Sequence, residues 1–328
     1  RLGLVGSEMC IRDRIYTMPQ FLEQRFDKRV SLVLAFFWLA VYVFINLTSV
    51  LWLGSLAINT LTGLETFYGL VLLALLSLAY SLWGGLKAVA LTDIIQVVLL
   101  IFGGLAVSFI ALQKIGDGYI GNGLITVFQA VPDKFDMILS EDNPSYSDLP
   151  GVWVLLGGLW IAHFAYWGFN QYITQRALGA KSLPEAQKGV MFAAYLKLLM
   201  PLVIVLPGIC AAVLFPVLEK SDQAYPTMMT LLPNGLLGLT FAALVAAIVS
   251  SLASMTNSIS TIFTMDVYRS FRANSSDATL VSIGRTTSVI ALIIAVFAAT
   301  PLLGSLESAF QYIQNFTGFF TPGILVIF

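Results

Sequence analysis

The stretch Ala247-Ala-Ile-Val-Ser250-Ser251-Leu-Ala-Ser254-Met-Thr-Asn257-Ser258 sets hydroxyls and one amide inside the apolar run 232–263. A run of that length crosses a bilayer as a helix, needing about 20 apolar residues to do so. Ala247, Ser250 and Ser251 stand at i, i+3 and i+4, so they share one helix face. A hard monovalent cation prefers oxygen ligands, and two hydroxyls plus the Ala247 carbonyl form half of a sodium cage. The competing reading is that small polar residues let helices pack closely and hydrogen-bond across a bundle.

Composition settles the class. Of the 328 residues 58% are hydrophobic and 11% charged, with mean hydropathy +0.87. Soluble domains carry about 25% charged residues, so the chain reads as an all-α integral membrane protein. Apolar runs fall at about 30–58, 66–84, 90–112, 151–178, 189–217, 232–263, 280–301 and 305–328. They are continuous rather than alternating, which favours helices over a barrel. The net charge of −1 gives no reason to expect a nucleic-acid partner. Cys10 and Cys210 offer neither metal spacing nor a disulfide framework.

Basic residues orient the spans. With the 15–30 loop on the cytoplasmic side, the inner loops hold Arg25, Lys28, Arg29, Lys87, Arg176, Lys181, Lys188, Arg269, Arg272 and Arg285. The outer loops hold Lys114, Lys134 and Lys220, and the 113–150 loop is acidic. This matches the positive-inside bias. Residues 1–14 lack a signal-peptide pattern and resemble a translated sequencing-adapter remnant. The final run reaches Phe328 without a basic flank, so a fragment lacking helices at both ends is the expectation.

From Ile15 onward, separated blocks occur in a distinctive order. They are Ile15-Tyr-Thr-Met-Pro-Gln-Phe, Asn46-Leu-Thr-Ser-Val-Leu, Tyr80-Ser-Leu-Trp-Gly-Gly-Leu-Lys-Ala-Val with Thr92-Asp93-Ile-Ile-Gln96, and Tyr166-Trp-Gly-Phe-Asn-Gln171. Ala186-Gln-Lys-Gly189, the serine block and Ala309-Phe-Gln-Tyr-Ile-Gln314 complete the series. In these blocks residues 15–328 resemble the sodium:solute symporter family, most closely its bacterial sodium/galactose (sodium/glucose-type) branch. The resemblance implies a LeuT-type bundle of two inverted repeats, with sites at the membrane midplane beside broken helices. It implies that this chain lacks the first core helices and later C-terminal ones.

The resemblance also implies residue roles. Ala247, Ser250 and Ser251 match sodium-coordinating positions. Asn46, Tyr166, Lys197 and Gln314 match sugar-site positions. Separately, Asp93 stands where the third span begins, at the cytoplasmic mouth, and a carboxylate there could briefly hold sodium on exit. Each has a plainer alternative. Asn46 and Gln314 could join helices by hydrogen bonds, and Gln311 lies on nearly the same face as Gln314. Lys197 could snorkel to the interface, and Tyr166, with Trp167 beside it, could belong to an interfacial belt. Asp93, following Thr92, could begin a helix. His163 departs from the pattern, since the branch places an asparagine there; a ring facing the cavity would alter the preferred sugar or make transport pH-dependent.

The implied function is secondary active symport: Na+ enters down its gradient and carries a neutral hexose across the bacterial inner membrane by alternating access. Na+ is the one coupling cofactor expected, and the partners are the small-molecule sugar and the lipid bilayer. Myo-inositol, an amino acid or a carboxylate are alternative solutes, and a non-transporting sugar sensor is an alternative class. The sequence offers no nucleophilic triad, phosphate loop or intramembrane carboxylate pair, so an enzyme is not expected.

Overall fold

The computed structural model describes residues 17–143, 146 and 151–328, and within them no side-chain detail for 82–91 and 178. The adapter-like tail 1–14 lies outside the described residues. Those residues form helices and connecting turns, with no strand among them. The order begins α1 (Met18–Arg25), α2 (Lys28–Ala40), α3 (Thr48–Thr62), α4 (Thr66–Ile115) and α5 (Ile120–Ala130). It continues with α6 (Leu159–Phe169), α7 (Gln171–Leu178), α8 (Leu183–Lys197), α9 (Leu206–Leu214) and α10 (Ala224–Met229). It closes with α11 (Asn234–Ile262), α12 (Asp277–Leu303) and α13 (Ala309–Ile327). Six helical stretches among the described residues are long and apolar enough to cross a membrane. They are Lys28–Thr62, Thr92–Ile115, Gly151–Phe169, Leu183–Leu214, Asn234–Phe271 and Asp277–Leu303, with Thr66–Ser81 a shorter apolar helix. The protein is therefore a multi-pass integral membrane protein.

The helical stretch α4 covers 50 residues in two limbs of opposite direction. Tyr80 Oη meets Thr92 Oγ1, whereas twelve residues of straight helix would separate their Cα atoms by about 18 Å. Its first limb runs parallel to α11: a methyl on Gly54 would meet both Leu73 and Ile248, and Ser81 donates to Asn257. Its second limb runs antiparallel, since Asp93 faces Ser250 and Gly103 faces Thr240. The expected spans 66–84 and 90–112 fall on these two limbs.

The expected single span 151–178 is corrected. Asn170 takes extended angles, φ −84° and ψ 119°, between α6 and α7. Side chains from another helix stabilise this break. Tyr42 Oη donates to Asn170 Oδ1 at 2.7 Å and accepts from the Gln171 amide at 2.8 Å. The Met18 amide in turn donates to Gln171 Oε1 at 2.9 Å. Tyr42 is fully buried, so a buried phenol serves backbone groups that regular helix would have satisfied.

Among the described residues, four π-helical turns interrupt the other long helices: Val41–Leu47, Val154–Gly158, Pro201–Val205 and Phe263–Tyr268. Thr48 Oγ1 donates to the Val43 carbonyl five residues back at 2.7 Å, and Ser49 Oγ to Ile45 O. These hydroxyls occupy carbonyls that the widened turn leaves poorly paired. Lys220 Nζ donates to the carbonyls of Gly304 (2.6 Å) and Leu306 (3.1 Å). Asp222 accepts from Ser308 Oγ and the Ala309 amide at 3.0 and 2.6 Å. The clasp sets the starting angle of α13.

Close helix packing rests on small residues. A methyl at Gly104 would lie 2.8 Å from the Val203 carbonyl oxygen, a backbone atom with little room to yield. Gly104→Ala is expected to cost about 1–3 kcal/mol, the range for overpacking. Thermal unfolding in detergent measures it; an unchanged midpoint would show that α4 and the π turn Pro201–Val205 have room to separate.

Candidate functional site

Asn46, His163, Tyr166, Lys197 and Gln314 line one cavity of about 560 Å³. That volume falls within the roughly 300–1,000 Å³ of small-molecule sites. The five side chains come from four separate stretches. Asn46 sits on the π turn between α2 and α3, and His163 and Tyr166 sit one turn apart on α6. Lys197 is the last residue of α8, and Gln314 lies in the second turn of α13.

The cavity wall explains how each polar group is tolerated. Lys197 Nζ sits 4.1 Å from the centre of the Trp167 ring, a cation–π contact on the cavity wall. Pro201, four residues on, cannot donate a backbone bond and opens the π turn that ends α8. Tyr166 Oη lies 2.5 Å from Tyr172 Oη of α7, so Tyr166 belongs to the cavity wall. Gln311 does not line the cavity; its amide nitrogen donates to Asn315 Oδ1 at 3.1 Å. The wall combines amide, imidazole, phenol and ammonium donors with indole and phenyl faces, which suits a neutral polyhydroxylated solute.

Ala247, Ser250 and Ser251 do not line this cavity. They stand on α11 where it faces the second limb of α4 and the short helix α7. Ser250, 2% exposed, donates to Asp93 Oδ1. Asp93 stands at the start of the second limb of α4. Its carboxylate binds the serine face directly.

Sequence reasoning missed the rest of this cluster. Arg176, expected as an ordinary loop cation, pairs with Asp93 Oδ2 at 2.9 Å and donates to Ser254 Oγ at 2.8 Å. Gln175 Nε2 donates to the Ser254 carbonyl at 3.1 Å, and Ser258 Oγ donates to Gln175 Oε1 at 3.0 Å. The available signal was spacing: Ser250, Ser254 and Ser258 recur every four residues on one face of α11, and Gln175 and Arg176 follow Tyr172 by one helical turn. Thr17 and Asp266 form another buried pair, Thr17 Oγ1 donating to Asp266 Oδ1 at 2.8 Å. It docks the start of α1 on the π turn after α11.

Comparison with known proteins places this geometry. A family model described as the sodium:solute symporter family matches residues 2–328. A sodium/glucose cotransporter of Vibrio parahaemolyticus is 50% identical over 347 aligned residues, covering 100% of this chain and 64% of that protein. Sodium/glucose cotransporter 1 of Ovis aries and sodium/myo-inositol cotransporter 2 of Homo sapiens are each 31% identical over the whole chain. The chain spans 54% and 53% of their lengths. A solved structure of a Na+-coupled sialic acid symporter in a substrate-bound, outward-open state superposes with TM-score 0.78 at 24% identity, over 98% of this chain and 71% of that one. The shared architecture is the LeuT-type helical bundle.

Proposed function

The chain belongs to the sodium:solute symporter family, a family of transporters rather than enzymes, and from that premise we propose that it handles Na+ and a neutral hexose in sodium-driven import. The observation that carries the reading is the meeting of Asn46, His163, Tyr166, Lys197 and Gln314 on one cavity. Asn46 and Gln314 offer amides that both donate and accept, and Lys197 donates to a sugar hydroxyl. Tyr166 and Trp167 present aromatic surface to the C–H face of the ring. Ala247, Ser250 and Ser251 supply oxygens for Na+, with Asp93 adjoining them as a transient stop toward the cytoplasm. Rocking of one helix group against the other would expose both ligands to the cytoplasm in turn. The location proposed is a bacterial plasma membrane.

The driving force suffices. One charge crossing 100 mV releases about 2.3 kcal/mol, and a tenfold Na+ gradient adds about 1.4 kcal/mol. At one-to-one coupling the sum supports about 500-fold accumulation.

The test is labelled-hexose uptake by the full-length protein in proteoliposomes, with and without an inward Na+ gradient, against unlabelled sugars, inositol and amino acids. Sodium-dependent uptake blocked by hexoses is the expected result. Dependence on Na+ with competition by inositol alone would favour the cyclitol reading, which the human relative's name makes the second candidate. Uptake indifferent to Na+ would remove the proposal. In the same assay, His163→Asn is expected to change the order of competing hexoses by about tenfold between at least two of them, one hydrogen-bonding group's worth. An unchanged order would return His163 to the structural residues.

A further inference from the structure

Helix α7 touches both places that this reading assigns to cargo. Near its start Tyr172 lines the cavity and meets Tyr166. One turn later Gln175 and Arg176 reach the serine face of α11. Tyr172 and Arg176 are four residues apart, so they project from the same side of the helix. The break at Asn170 uncouples α7 from the hydrogen bonds of α6. The short helix can therefore tilt at that point without unwinding either neighbour.

The two oxygens of Asp93 are divided between partners. Oδ1 takes the Ser250 hydroxyl, and Oδ2 takes the Arg176 guanidinium. A Na+ ion arriving at Ser250 must share this single negative charge with Arg176. Two cations compete for one carboxylate, and each weakens the hold of the other. The second anchor of Arg176, the neutral Ser254 hydroxyl, holds a guanidinium less firmly than a carboxylate does. Arg176 is also 44% exposed against 20% for Asp93, which leaves it room to withdraw.

We infer that Arg176 is the residue that couples ion to solute: it ties α7 to Asp93 while the serine face is empty, and Na+ releases it. Released, α7 carries Tyr172 to a new position at the cavity and so shifts the hydroxyl that Tyr166 of α6 meets. Arg176 touches neither cargo, so it is a positioning residue. The inference rests on the sodium-symport reading, because the competition it describes requires a cation at the serine face.

The experiment measures sugar binding to the full-length protein over a Na+ series. Arg176→Gln removes both competitor and tether. The Na+ concentration for half-maximal effect is expected to fall at least about threefold. The factor by which saturating Na+ tightens sugar binding, typically about 5–150 in coupled systems, is expected to fall below about one third of the parent's. Arg176→Lys, which keeps the charge, is expected to recover at least half of that factor. Equal coupling in Arg176→Gln and the parent, or Arg176→Lys no better than Arg176→Gln, overturns the inference. Hydrogen exchange in the unmodified protein decides the matter even if the variants fold poorly. Na+ without sugar should speed exchange across residues 170–180, and an unchanged rate there overturns the inference. Failure of the transport reading itself would look different: the parent's sugar affinity would not respond to Na+ at all.

Discussion

Lys197→Met in the full-length protein is expected to raise the sugar concentration for half-maximal uptake by about 10–100-fold. A hydrogen bond from a charged donor contributes about 1.5–3 kcal/mol, and each 1.4 kcal/mol is a factor of ten. Methionine keeps much of the side-chain volume, so the change removes the ammonium and its contact with Trp167 while preserving packing. Stability should hold or improve, because a charge at membrane depth is itself costly. Uptake by the variant at saturating sugar should still depend on Na+. An unchanged half-saturation for sugar would place Lys197 outside the binding contacts, despite its position on the cavity.

Ser250→Ala is expected to raise the Na+ concentration needed for half-maximal uptake by about tenfold, more than Ser251→Ala does. The larger effect follows from its two bonds' worth of chemistry. The substitution removes an oxygen from the proposed Na+ shell, and it also leaves Asp93 Oδ1 without the hydroxyl that orients it. The carboxylate then belongs more fully to Arg176. Removing a buried partner of a charged group costs about 1–3 kcal/mol, consistent with a factor of about ten. Sodium titration of uptake at fixed sugar measures it. Equal sodium dependence in the parent and both variants would return the serines to helix packing.

The features legible in the sequence were those carried by single residues set against their background. Lys197 and Asn46 stand out because a polar side chain in an apolar run must be explained one at a time, and both reach the cavity. The membrane class was legible for the same reason, as a property of composition. What escaped were features that depend on two distant segments. Asn170 looks like an ordinary polar residue near a helix end; it breaks the span because Tyr42, 128 residues earlier, bonds to it. Arg176 counted as loop charge until Asp93 was seen opposite it. Asp93 opens the second limb of α4, but its partners lie on α11 and α7, and spacing along its own helix does not reveal them. Periodicity reports the face a residue occupies, not the partner that faces it.

The π turns have a consequence for how such a cavity is tuned. Asn46 lies within one, Lys197 lies just before another, and His163 follows a third by five residues. Each such turn amounts to one residue more than a regular helix would accommodate between its fixed ends. Deleting a single residue there would restore the regular helix and swing the neighbouring side chain by about 100°, the angle per residue of an α-helix. Solute preference on this scaffold is thus open to insertions and deletions as well as to substitutions. A change in helix length can re-aim an amide or an ammonium while every other wall of the cavity stays as it was.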